Sequence, residues 1–135
     1  MTRFDAADPE TRRALYADAI AAHRERESQF LTIEVDESSL EGNPAVAEHG
    51  IPWLQFADDT INLDCTNDEL ERLKSLLSDF PAFSIDELTR PENADGINVR
   101  LRATTDPERI AQFLDAAIQT VYVLPEATKV WAVEV

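Results

Sequence analysis

Lysine is almost missing from this chain. Lys74 and Lys129 are the only two, and arginine supplies the other cations. Cysteine occurs once, at Cys65, so no intramolecular disulfide can form. Glycine occurs three times, and neither G-x-G-x-x-G nor G-x-x-x-x-G-K is present. The usual glycine-rich phosphate cradles are thereby excluded. His23 and His49 stand on different segments, and H-x-x-x-H, C-x-x-C and H-E-x-x-H are all absent. A structural zinc site needs four converging ligands, so no metal and no other cofactor is expected. G-x-S-x-G and serine-triad spacings are absent as well. No apolar run reaches the roughly 18 residues of a membrane span, and the start "MTRFDAADPE" has no signal-peptide core. These absences predict a cytoplasmic chain with no membrane partner.

Acid is what the chain has in abundance. It carries 27 Asp and Glu against 12 Lys and Arg, a formal net charge of −15. The acids are spread along the whole length rather than gathered in a tail. Such a surface suits concentrated salt, where a Debye length of about 3 Å at 1 M screens the self-repulsion. A cationic partner is the functional alternative. Bulk-charge binding of nucleic acid is disfavoured, because no basic stripe exists to displace counterions from phosphates. At 135 residues and 44% hydrophobic content, the chain reads as one folded domain.

Three helices are signalled by their starts. "DPETRRALYADAIAAHRERE" opens with Asp8 as N-cap and Pro9 at the first helical position. Its apolar row is Leu15, Tyr16, Ala19, Ile20 and His23. "TNDELERLKSLLSDF" places Thr66 and Glu69 at capping-box spacing, carries a stripe of Leu70, Leu73, Leu76, Leu77 and Phe80, and stops at Pro81. "TDPERIAQFLDAAIQTVYVL" repeats the device with Thr105, Pro107 and Glu108. Ile110, Phe113, Leu114, Ala117, Ile118 and Val121 form its apolar face.

The strands are signalled by alternation. "QFLTIEV" puts Leu31, Ile33 and Val35 on one face. "IPWLQFADDTINLDC" reads as a hairpin turning at Asp58-Asp59, which pairs Phe56 with Ile61 and Leu54 with Leu63 on the core side. Trp53, Gln55, Asn62 and Asp64 then face the other way. "AFSIDEL" and "INVRLRA" follow, the latter sending Ile97, Val99, Leu101 and Ala103 inward and Asn98, Arg100 and Arg102 outward. "KVWAVEV" is the last strand. Residues 36–51 show no period, and an unstructured connection of that length is commonly functional or mobile.

The predicted order is α-β-β-β-α-β-β-α-β. It describes an α+β two-layer sandwich, a largely antiparallel sheet with helices on one face. Residues 60–135 alone resemble a ferredoxin-like plait, and residues 9–122 resemble the element order of type III secretion chaperones and related bacterial regulator domains. The plait places the 60–65 strand between the strands at 97–103 and 128–135. The hairpin gives one of those places to 53–57, and its matched inward pairs favour it. The last strand would then lie elsewhere, at an edge or on a second subunit. Through "IPWLQFADDTINLDCTNDELERLKSLLSDFPAF", "GINVRLRATTDPERIAQFLDAAIQTVY" and the arginine bias, the chain resembles small acidic haloarchaeal proteins with no assigned activity. That resemblance supplies no functional residues.

Cys65 falls on the inward side of its strand, immediately before Thr66, so a buried small hydrophobe is expected rather than a nucleophile served by His23 or His49. What remains is the outward sheet face. Trp53, Asn62, Arg100 and Arg102 are the candidate contact residues there. Cross-strand ion pairs of the two arginines with Asp64 and Asp86 are the competing account. The expected function is a non-catalytic interaction module, an adaptor or chaperone-like homodimer. The alternative is an open sheet that binds RNA or another anionic ligand, although the K/R-G-F/Y pattern of RNA-binding sheets is absent.

Overall fold

The computed structural model describes residues 3–26, 31–36, 52–57, 59–90, 96–124, 126 and 128–133. Along the chain run β1 (Arg3–Ala6), α1 (Pro9–Arg26), β2 (Leu31–Val35), β3 (Trp53–Ala57) and β4 (Thr60–Cys65). Then follow α2 (Asn67–Leu77), β5 (Phe83–Thr89), β6 (Ile97–Ala103), α3 (Pro107–Ala116) and β7 (Val130–Val133). The seven strands form one open sheet in the order β1-β7-β2-β3-β4-β6-β5, and every neighbouring pair is antiparallel. The fold is α+β, with the helices on one face of the sheet.

Each helix starts where a side chain can take the backbone donors that a first turn leaves over. Asp8 accepts from Thr11 N at 3.0 Å and from Thr11 Oγ1 at 2.8 Å. These two bonds hold its carboxyl below the usual value. Thr66 and Glu69 form the full capping box, with Thr66 N donating to Glu69 Oε1 at 2.8 Å. At α3 the cap is Asp106, which accepts from Arg109 N at 2.8 Å, and not Thr105. A cap on Asp106 puts Pro107 at the first helical position, where its missing N–H does no harm. After Ala116 the helix widens into a π turn over Ala117–Val121, with Tyr122 N bonded to Ala117 O at 3.2 Å. Ala117, Ile118 and Val121 stay buried through it.

The hairpin register is the expected one. Phe56 pairs with Ile61 and Leu54 with Leu63, and all four are buried. Asp59 takes the turn's left-handed backbone, φ 58°, which Asp tolerates better than most residues. Asp58 lies outside the described residues, as do residues 37–51 with His49. In β6, Ile97, Val99, Leu101 and Ala103 are buried while Arg100 and Arg102 are exposed. A one-residue slip would expose the apolar set, losing about 1.5–3 kcal/mol for each large side chain, and would turn two guanidiniums into the core. That penalty locks the register.

Two features of topology depart from expectation. The chain begins with a strand, because β1 pairs with β7 from Arg3↔Val133 to Ala6↔Val130. Its four residues are too few to show a period. The last strand is neither at an edge nor offered to a second subunit. It lies inside the sheet between β1 and β2.

A buried arginine holds the segment that leads into β7. Arg12 is 0% exposed and Asp115 is 5% exposed. Arg12 Nε donates to Asp115 Oδ1 at 2.6 Å, tying α1 to α3. Arg12 Nη1 donates to the carbonyls of Glu126 at 2.5 Å and Thr128 at 2.8 Å. Those carbonyls lie on the segment leading into β7. Gln119 Nε2 donates to the second Asp115 oxygen at 3.1 Å. Four residues along α1, Tyr16 is buried with its hydroxyl unpartnered. Burial, then the Asp115 charge, pushes that phenol far above its usual pKa.

Removing either member of a buried pair strands the other charge. Arg12→Met and Asp115→Ala are each expected to lower stability by about 3–5 kcal/mol, read from urea unfolding midpoints. Tyr16→Phe deletes an unpaired buried hydroxyl and is expected to leave stability unchanged or raise it by about 1 kcal/mol. A large loss in Tyr16→Phe would show that the hydroxyl has a partner.

Candidate functional site

The helix-covered face of the sheet is closed, so the groups available for contact lie on the other face. Cys65, the single thiol, is buried on the helix side. Burial first, then the Glu69 and Asp64 carboxylates, pushes its pKa from 9.0 to about 12. A thiol in that environment stays protonated and is a poor nucleophile. His23 is buried too, its ring edge-on to Phe56 with centroids 5.5 Å apart, so it is a core residue. Among the described residues, no three His, Cys, Asp or Glu side chains converge as a metal set. Also among them, no helix is long and apolar enough to cross a membrane.

The open face is organised in rows that run across the strands. Burial alternates along β2, β3, β4 and β6, so the side chains of one row share the outward direction. One row joins Thr32, Gln55, Asn62, Arg100 and Glu87 through successive pairs. The next, toward the Asp59 turn, joins Thr60, Arg102 and Ser84. On the other side a row joins Asp5, Trp131, Glu34 and Trp53. The structure therefore brings Asn62 and Arg100 together as direct cross-strand partners. Trp53 stands two strands from β6, in a different row.

Arg100 and Arg102 face outward and are paired, Arg102 with the expected Asp86 and Arg100 with Glu87 in place of Asp64. Arg100 Nη1 lies 3.5 Å from Glu87 Oε2, and Arg102 Nη2 lies 3.6 Å from Asp86 Oδ1. Asp64 instead accepts from Asn98 Nδ2 at 3.0 Å, because the β4–β6 register sets those two opposite each other. The sequence reading missed Glu87 because alternation along "FSIDELT" turns it inward. A register shift between Ile85 and Glu87 overrides the alternation. The bulge leaves both consecutive acids outward, one for each arginine.

Trp131 was also missed. Its parity within "KVWAVEV" was readable, but its neighbours depend on where β7 inserts. Trp131 Nε1 donates to Asp36 Oδ1 at 2.8 Å. Lys129 Nζ sits 4.9 Å from the Trp131 ring centroid and 3.2 Å from Asp5 Oδ2. The open face thus has an aromatic, acidic end around Trp131, Glu34 and Trp53, and an end of paired arginines on β6.

The fold and this face define an α+β protein with an open, two-ended sheet surface. The chain belongs to the family of unknown function DUF7975, whose model matches residues 1–135. No curated protein and no solved structure matches it.

Two measurements check the assignment of roles. Exposed ion pairs contribute about 0.2–1 kcal/mol, so Arg100→Ala and Arg102→Ala are each expected to change stability by less than about 1 kcal/mol. A larger loss in thermal unfolding would make them structural. The second concerns alkali. Cys65 has its pKa raised in the fold, and so has Tyr122, which burial and then its charged neighbours push well above its usual 10.0. The unfolded chain releases these protons near pH 9–10, while the folded chain keeps them to higher pH. Stability is accordingly full below about pH 9 and is expected to fall between pH 9 and 12, by up to about 1.4 kcal/mol per pH unit per group. Urea midpoints at pH 8, 10 and 11 give the slope, and a flat profile would contradict it.

Proposed function

We propose that this protein is a non-catalytic interaction module whose open sheet face docks a partner protein, either a second copy or an adaptor target. The observation that carries this reading is the row holding Trp53 and Trp131 on the face of the sheet opposite the helices. Tryptophan is over-represented where interfaces bury their centres. Burying the one thiol among apolar residues supports the non-catalytic part. The charge of −15 with two lysines supports a chain adapted to concentrated salt in the cytoplasm.

The anionic-ligand alternative draws less support. Both outward arginines of β6 already have a carboxylate within 4 Å, and the net charge opposes approach of a polyanion. Sedimentation velocity across a concentration series, together with affinity capture at native salt, tests the docking reading. Wild-type protein is expected to associate, and Trp53→Ser is expected to lose that association with its thermal midpoint held. A chain that stays monomeric and captures nothing, or a Trp53→Ser variant that associates as well as wild type, would refute it. Binding to RNA homopolymers abolished by Arg100→Ala would refute it in favour of the alternative.

A further inference from the structure

The docking reading leaves open what chemistry the aromatic end accepts, and the inference here rests on that reading. We infer that Trp53 and Trp131, standing on either side of Glu34, form a clamp for the guanidinium of an arginine in a basic partner protein.

The register carries the argument. Glu34 in β2 is directly opposite Trp53 in β3 and directly opposite Trp131 in β7. Leu31, Ile33, Leu54, Val130 and Ala132 are buried, so the three side chains between them in parity point away from the helices together. Adjacent strands lie about 4.7–4.9 Å apart, which roots the two indoles about 9.5 Å apart with the carboxylate midway. A ring attracts a cation within about 6 Å of its centroid. A cation seated on Glu34 is therefore in reach of both rings.

The surroundings select the cation. Glu34 is exposed and, among the described residues, has no ion-pair partner. The neighbouring acids are engaged: Asp5 with Lys129, Asp36 with the Trp131 indole, Asp64 with Asn98. Lys129 shows that the Trp131 ring holds a cation at 4.9 Å, and its bond to Asp5 draws it toward β1, the side away from Glu34. The bond from Trp131 Nε1 to Asp36 restrains that ring, so less ordering is needed on binding. A planar guanidinium fits a carboxylate with two parallel bonds, stacks on indole, and sheds its water more readily than an ammonium. A chain of net charge −15 favours a basic partner over a second copy of itself.

Both tryptophans of the chain belong to the clamp, so selectively excited tryptophan fluorescence reports on it. Three blocked tripeptides serve as probes: Gly-Arg-Gly, its citrulline analogue, which keeps the shape without the charge, and its lysine analogue. The arginine peptide is expected to give a saturable change in the millimolar range, with affinity at least about fivefold above the citrulline peptide and above the lysine peptide. Glu34→Gln and Trp53→Leu are each expected to weaken it by about two- to fivefold, and Arg100→Gln to leave it unchanged. Equal binding of the arginine and citrulline peptides, no saturable change, or an unaffected Glu34→Gln variant would overturn the clamp. If sedimentation shows association that Trp53→Ser abolishes while the peptides fail, the clamp falls and the docking face stands. A dimer weakened by Arg100→Gln, with no peptide binding, would put the second copy's arginines in its place.

Discussion

Arg12 is the side chain on which the arrangement of this protein turns. A guanidinium removed from water is tolerable only where charge and carbonyls take most of its donors. Asp115 takes Nε from α3, the carbonyls of Glu126 and Thr128 take Nη1, and Nη2 is buried without a hydrogen-bond partner. Those bonds join the first helix, the third helix and the segment entering β7. The strand that follows inserts between β1 and β2 instead of continuing past the helix layer. The β2–β7 register then places Trp131 beside Glu34. The chemistry of the outer face is thus set in part by a cation buried on the opposite side of the sheet.

The protein shows how an acidic chain uses few cations. Arg24, near the end of α1, pairs with Asp59 at 2.9 Å and reaches Thr105 O at 3.0 Å. Arg109 lies 4.3 Å over the Phe80 ring, and Arg72 Nε holds Val121 O at 2.8 Å. Arginine in these places binds carbonyls, carboxylates and rings with one planar group, which an ammonium does less well. On β6 the two outward arginines are balanced by two acids that a single bulge delivers. Among the described residues Glu34 stands apart, because the strands on either side of β2 set a tryptophan opposite it rather than a cation.

Much of the local structure was legible. Helix starts announce themselves by chemistry confined to four residues, as at Asp8 and Thr66. Strand faces announce themselves by a period of two, as in "INVRLRA", and the hairpin by pairs that matched in only one register. The failures share a cause. Thr105 and Asp106 both offer a cap, and backbone geometry chose between them. Glu87 followed the wrong parity because a bulge leaves no mark in alternation. Arg12 continues the buried row of α1 backwards from Tyr16, yet a cation on an apolar stripe reads as solvated until its partner, 103 residues away, is known.

By itself, then, the amino-acid order determined three helices, the faces of most strands, the inward thiol and an outward polar surface. All of these depend on neighbours within a few positions, where propensity, capping and hydrophobic period act. Only the tertiary structure decided which strands lie side by side. Strand order depends on long-range burial and on contacts such as the bonds from Arg12 to the carbonyls of Glu126 and Thr128, and neither leaves a periodic trace along the chain. Hence Trp53, Arg100 and Arg102 could be assigned a face in advance, whereas Trp131 and Glu34 became neighbours only when β7 found its place.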